Sequence, residues 1–158
     1  MKIIKNFLDY SYFKNLQDIA TNLHFKTPYF LGNPTQYDNK DTYYFVHILY
    51  EEAAARSENF NLISPLLKKL DVKSLVRAKI NLYPKTEKLE SHGSHADFPF
   101  EHKGCILSLN NCDGFTQIGD QNIPSIENQI LLFDPHKKHN STSTTNAPFR
   151  ININLNYF

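Results

Sequence analysis

Two stretches of the chain alternate strictly between apolar and polar positions. Val76, Ala78, Ile80 and Leu82 alternate with Arg77, Lys79, Asn81 and Tyr83, and Phe149, Ile151, Ile153, Leu155 and Tyr157 alternate with Arg150, Asn152, Asn154 and Asn156. Residues i and i+2 share one side of an extended backbone, so each stretch predicts a strand with one apolar and one polar face. Pro84 stops the first of them. Between the two lie GCILSLN, GFTQIG and NQILLFD, short apolar runs separated by Asn, Asp and Gly turn residues. This spacing predicts antiparallel strands closing into a sandwich or barrel over residues 73–158.

The N-terminal half follows a different period. After a short apolar run in MKIIKNFL that suits a strand, Tyr12, Leu16, Ile19, Ala20 and Leu23 recur at helical spacing, with Lys14, Asn15, Gln17 and Asp18 on the other side. The helix should end before Pro28, where residues 27–41 carry turn formers together with Tyr29, Phe30 and Tyr37. That segment reads as a long loop, either a surface connection or the rim of a substrate mouth. TYYFVHILY predicts a buried strand in which His47 is a core histidine. Leu62, Ile63, Leu66, Leu67 and Leu70 predict a second helix that must start just before Pro65. No repeat or composition shift divides the chain, so one domain over 1–158 is expected, with 1–72 supporting a core built from 73–158. The fold class is α+β and mainly β, with the helices covering apolar strand faces and the polar faces turned inward.

Composition narrows the function classes. In 158 residues, 41% hydrophobic and 13% aromatic content is enough to bury a core. A formal net charge of +1 supplies no field to gather nucleic acid unaided. No apolar run is long enough for a leader or a membrane span, which leads to the expectation of a cytoplasmic protein with no membrane partner. Cys105 and Cys112 then read as reduced thiols in the core or a turn.

Candidate chemistry concentrates in residues 91–97, SHGSHAD. His95 and Asp97 lie two apart, so an extended segment points both to one side, where an imidazole nitrogen and a carboxylate oxygen can share a cation. A second histidine would complete the two-His, one-carboxylate set of non-haem Fe(II) sites. His139 in FDPHKKHNSTS supplies it, with His136, directly after Pro135, as the alternative. Arg150 follows His139 by eleven residues and shares a strand face with Asn152, from which its guanidinium can grip a carboxylate through two parallel hydrogen bonds. His92 and His102 have no carboxylate two residues on and read as surface or supporting residues.

With these residues in place, the segment from 77 to 158 resembles the double-stranded β-helix, or jelly-roll, core of the 2-oxoglutarate and Fe(II)-dependent oxygenases. His95, Ala96 and Asp97 match the His-x-Asp motif, His139 the distal histidine and Arg150 the arginine that binds 2-oxoglutarate. Asn81 and Tyr83 in INLYP resemble strand residues that contact 2-oxoglutarate in the nucleic-acid dealkylases, with Asn152 a further contact, and LNNCDGFTQI resembles prolyl hydroxylase-like members. The compact length resembles phage and bacterial members. The resemblance implies Fe(II) held by His95, Asp97 and His139, with 2-oxoglutarate as co-substrate, decarboxylated to succinate and CO2, and O2 as oxidant. It implies hydroxylation of a protein side chain, such as prolyl, or of a small metabolite. Oxidative nucleobase dealkylation and a non-catalytic metal- and 2-oxoglutarate-binding barrel are the alternatives.

Overall fold

A computed structural model describes residues 1–21, 27–32 and 42–158. The elements run β1 (Lys2–Ile4), α1 (Tyr10–Thr21), β2 (Phe30–Leu31), β3 (Phe45–Glu51), β4 (Ala54–Ala55), a 3-10 helix (Glu58–Ile63), α2 (Ser64–Lys69), β5 (Leu75–Pro84), β6 (Lys103–Ser108), β7 (Cys112–Ile118), β8 (Gln121–Ser125), β9 (Ile130–Phe133), β10 (His139–Ser141) and β11 (Phe149–Tyr157). Among the described residues the strands form a large sheet in the order β1-β9-β6-β11-β5-β3-β2, with β4 on β3, and a small sheet β10-β7-β8. Every strand pair is antiparallel. Bridges Ser91↔Thr142 and His95↔His139 lay residues 91–95 along the free side of β10.

The two alternating stretches become β5 and β11, paired along their whole length from Phe149↔Pro84 to Tyr157↔Leu75. Their apolar faces contribute Ala78, Ile80, Ile151, Ile153 and Leu155 to one buried cluster that also holds Phe13, Leu16 and Ala20 of α1 and Leu66 of α2. Each fully buried aliphatic side chain of this kind contributes about 1.5–3 kcal/mol. Their other faces bury Asn81, Tyr83, Arg150, Asn152, Asn154 and Asn156 as well. A strand buried on both faces with amides and a guanidinium on one of them can only border a polar interior, because unpaired polar groups are costly to desolvate. Among the apolar residues of these strands and their neighbours, Ile80, Ile106, Leu131, Phe133, Ile151 and Ile153 are buried, whereas Leu82, expected on the apolar face of its strand, is half-buried.

Local rules account for the N-terminal elements. Asp9 caps α1, its Oδ1 accepting from the amides of Ser11 at 3.0 Å and Tyr12 at 3.4 Å. The second helix is split: Ser57 caps the 3-10 turn through the amide of Asn59, and α2 starts at Ser64, so that Pro65 falls in its first turn. His47 is a core histidine, with Nδ1 2.7 Å from the Pro28 carbonyl and Nε2 2.8 Å from Ser57 Oγ. In the segment expected to be loop, Phe30 and Leu31 pair with β3 as β2. Tyr29 is half-buried and donates to the Ala20 carbonyl at 2.8 Å, and Tyr37 lies outside the described residues. Strand β8 is an addition to the expected set, its QNIPS run carrying Pro124 with no clear alternation. No helix among the described residues is long and apolar enough to cross a membrane.

Candidate metal centre and its pocket

His95 and His139 sit directly opposite each other across an antiparallel bridge, each amide donating to the other's carbonyl at 2.9 Å. Opposed residues project to the same side. The imidazole centroids accordingly lie 4.8 Å apart. Asp97, two residues on, is fixed by its amide bonding to the Pro135 carbonyl at 2.9 Å, and its Oδ1 is 3.7 Å from His95 Nε2. One ligand atom from each of the three residues falls within 4.8 Å of the others, a grouping able to hold a metal ion.

The surroundings prepare the three groups for ligation. His95 Nδ1 faces the Gly93 carbonyl at 3.0 Å and His139 Nδ1 faces that of Lys137 at 2.9 Å. A carbonyl only accepts, so each Nδ1 carries a proton and each Nε2 is the nitrogen left to face a metal. Burial, partly offset by Asp97, holds His139 below the usual imidazole range and so in the neutral form that binds metals. Burial pushes the Asp97 carboxyl upward, but Arg77, Lys79 and His139 outweigh it and bring the group down to about 2. Arg77 Nη2 donates to Oδ1 at 2.8 Å while stacking on Phe98, and Asn156 Nδ2 donates to Oδ2 at 2.9 Å. The same Asn156 amide lies 3.1 Å from His102 Nε2, whose Nδ1 faces the Phe100 carbonyl at 2.8 Å. Asp97 is thus an aimed, ionised carboxylate.

Facing this triad, β5 and β11 supply Lys79, Asn81, Tyr83 and Asn154 to a cavity of about 20 Å³, which has room for roughly one water. A larger concavity of about 590 Å³ lies elsewhere, an open groove bordered by Phe30, Glu51, Arg56 and Ser57. The metal-binding grouping belongs to the small cavity, and size does not locate the chemistry here. Tyr44 stacks on Tyr83 with centroids 5.4 Å apart and rings 19° from parallel, and His92 leans on both. Burial raises the Tyr83 phenol to about 12, and the OH donates to Ser141 Oγ at 3.2 Å. Burial, reinforced by Arg77, draws the half-buried Lys79 ammonium down to about 8.

Arg150 is 1% exposed and is one of the largest fully buried side chains. Its guanidinium lies 5.2 Å from the Tyr83 ring centroid, with Nη2 donating to Thr116 Oγ1 at 2.7 Å and Nη1 to the Thr142 carbonyl at 3.2 Å. It faces no carboxylate among the described residues, and its Nε lacks a partner there. Thr142 and Ser143 are held beside it by the following connection, where Asp113 accepts from the Thr144 hydroxyl at 2.7 Å and the Thr145 amide at 2.9 Å. Gly114 makes room: a Cβ there would collide with the Ser143 carbonyl oxygen and lie 2.7 Å from Arg150 Cδ. Gly114→Ala should therefore cost about 1–3 kcal/mol through overpacking. Urea unfolding is the measurement, and an unchanged midpoint would show that the loop and arginine move aside freely.

The expected residues are brought together to different degrees. His95, Asp97, His139, Asn81 and Tyr83 border one cavity. Arg150 and Asn152 lie deeper along β11, with Asn152 Oδ1 accepting from Asn81 Nδ2 at 3.1 Å. His136 is outside the grouping, in a surface groove with Glu101, Asp134 and Phe158. His92 and His102 are both buried, His92 at the cavity wall and His102 behind Asp97, so neither is a surface residue. Arg77, Lys79, Asn154, Asn156 and Thr116 were not singled out from the sequence. The signal available for all except Thr116 was their place on the polar faces of β5 and β11.

The donor set suits Fe(II) with a dicarboxylate co-substrate. Two imidazoles and a carboxylate fit Fe(II), and a buried guanidinium that faces no anion among the described residues fits a carboxylate. Buried amide atoms of Asn81, Asn152 and Asn154 that lack hydrogen-bond partners line the way between them.

No protein-family profile and no curated protein sequence matches the chain. Solved structures do. A prolyl hydroxylase from Trichoplax adhaerens, in complex with a hypoxia inducible factor peptide fragment, superposes with a TM-score of 0.73 at 16% identity, covering 99% of this chain and 82% of its own. The viral collagen prolyl hydroxylase of Paramecium Bursaria Chlorella virus-1, in its 2-oxoglutarate complex, gives 0.66 at 10% identity, covering 98% and 93%. The epimerase SnoN, in complex with Fe3+, alpha ketoglutarate and nogalamycin RO, gives 0.68 at 12% identity, covering 99% and 77%. At such identities the likeness concerns architecture, and the chain has the double-stranded β-helix fold of the 2-oxoglutarate and Fe(II)-dependent oxygenases.

Proposed function

We propose that the chain is an oxygenase dependent on Fe(II) and 2-oxoglutarate, acting as one domain over 1–158 and hydroxylating a protein side chain, such as prolyl, or a small metabolite. The observation that carries this reading is the convergence of one ligand atom each from His95, Asp97 and His139 within 4.8 Å, with the Nδ1 of both imidazoles facing carbonyls. His95, Asp97 and His139 would hold the iron, which couples decarboxylation of 2-oxoglutarate to transfer of an oxygen atom from O2 into a C–H bond. Arg150 anchors the far carboxylate of the co-substrate, with Thr116 beside it, and Asn81, Tyr83 and Asn152 contact its stem. Because the cavity has room for little more than a water, the Tyr83 and Tyr44 rings must shift to admit the co-substrate. The same rings then exclude water from the reacting atoms.

Both prolyl hydroxylases and an epimerase share the fold, so hydroxylation and epimerisation are the two outcomes of hydrogen removal that a product assay must separate. Succinate release with Fe(II), ascorbate and 2-oxoglutarate tests the proposal, first alone and then with prolyl peptides, amino acids or alkylated oligonucleotides. A metal-dependent basal rate, stimulated by one of the first two classes, is expected. Stimulation by the oligonucleotides alone would assign a dealkylase, and binding of 2-oxoglutarate without any succinate would assign a non-catalytic barrel.

A further inference from the structure

Lys79 is a cation whose one task in the proposed reaction so far is to help Arg77 keep Asp97 ionised. It stands at the middle of β5, opposite Asn154 of β11, and borders the small cavity together with His95, Asp97 and His139. Its ammonium makes no hydrogen bond or ion pair among the described residues; it stands 5.9 Å from the Tyr44 ring centroid and feels the Asp97 and Glu51 carboxylates only from beyond ion-pair distance. Asn154 Oδ1 across the ladder is likewise buried without a partner. A half-buried ammonium with no anion in contact is unfavourable, and the Asp97 carboxylate is already taken by Arg77 and Asn156. Metal would make the imbalance worse. Among the described residues Asp97 is the only anion in the cavity wall, whereas Lys79 lines the cavity, Arg77 pairs with Asp97 and Arg150 lies beyond Tyr83. A bound 2-oxoglutarate would bring two negative charges, which with Asp97 would still leave a pocket holding a divalent metal, Arg77, Lys79 and Arg150 net positive.

Resting on the oxygenase reading, we infer that Lys79 binds a carboxylate of the substrate beside the metal, so that the enzyme selects a substrate bearing a carboxylate close to the carbon it oxidises. A free amino or hydroxy acid meets this description, as does an acidic side chain. An uncharged prolyl ring inside a peptide does not. Lysine suits the task because its ammonium offers three donors on a flexible stem and needs no fixed fork. Asn154 Oδ1 can accept from the same ammonium and so aim it. The role is one of recognition: Lys79 holds the substrate while the metal ligands and Arg150 keep their own tasks.

The test uses trifluoroacetate as a carboxylate probe and trifluoroacetamide as its neutral counterpart, read by 19F relaxation in the anaerobic Mn(II) protein loaded with 2-oxoglutarate. Trifluoroacetate should be relaxed by the metal about tenfold more strongly than trifluoroacetamide, and Lys79→Met should lose that excess while Lys79→Arg keeps part of it. Equal relaxation of the two probes in the wild type overturns the inference whether or not Lys79→Met folds. If Lys79→Met instead weakens 2-oxoglutarate about tenfold and trifluoroacetate never competes with the amide, Lys79 serves the co-substrate and the substrate assignment falls. The oxygenase reading fails separately, by calorimetry, if Mn(II) binds and 2-oxoglutarate does not. The anion site is then read with Mn(II) alone, and absence of Mn(II) binding would remove both readings.

Discussion

Replacing His95 or His139 by alanine, or Asp97 by asparagine, is expected to abolish metal-dependent succinate formation and to reduce Mn(II) affinity at least 100-fold, whereas His136→Ala retains both. Each of the three contributes one donor to a site that offers no substitute among the described residues. Asparagine is the informative replacement at 97, because deleting the side chain would also leave the half-buried Arg77 guanidinium unpaired and destabilise the fold. Asparagine keeps the shape and removes the charge. His102→Ala should fall between the extremes. It removes the acceptor behind Asn156, and loss of a residue that orients a ligand typically costs about 10–100-fold in metal affinity. Metal binding followed by electron paramagnetic resonance of Mn(II), alongside succinate assays, separates these cases. An inactive His136→Ala together with an active His139→Ala would overturn the ligand set.

The parts of this arrangement that were legible beforehand are those governed by a short period. Alternation over residues 76–83 and 149–157 identified both long strands and their inward faces, and the i, i+2 spacing put His95 and Asp97 on one side. Leu82 departs from the pattern: it lies near the end of β5, where the strand runs out at Pro84, and it is half-buried. What periodicity cannot supply is register between strands distant in sequence. His95 meets His139 through a bridge closed by chain that passes through β6, β7, β8 and β9, and no local signal states that pairing. Strand β10 is only three residues long, too short for any alternation to show. Arg77 and Lys79 stood in plain view as polar alternates. Their roles depend on which residues lie across the barrel, which is long-range information. Gly114 is invisible for the same reason, since its constraint is a carbonyl from residue 143.

Arg150→Ala is expected to weaken 2-oxoglutarate by thirty-fold or more while leaving Mn(II) binding nearly intact. The guanidinium is 1% exposed, carries hydrogen bonds to Thr116 and Thr142, and among the described residues has Nε without a partner and no anion to neutralise it. Burial pulls its pKa below the ordinary guanidinium value, the direction expected of a charge that lacks a counter-ion. A co-substrate carboxylate supplies that counter-ion, and losing one member of such a pair costs about 2–5 kcal/mol, which at the lower bound is roughly thirty-fold in affinity. Arg150→Lys should recover only part, since an ammonium cannot reproduce two parallel bonds. Arg150→Met adds a second readout. A well-packed apolar side chain in place of an unpaired buried charge is often neutral or stabilising, so the co-substrate-free protein should unfold at the same or higher urea concentration while 2-oxoglutarate affinity collapses. Calorimetric titration of 2-oxoglutarate into the anaerobic Mn(II) protein checks the affinities. Equal binding by the wild type and Arg150→Met would show that the arginine is a structural strut for Thr116 and Thr142, and the co-substrate carboxylate would then have to be sought elsewhere.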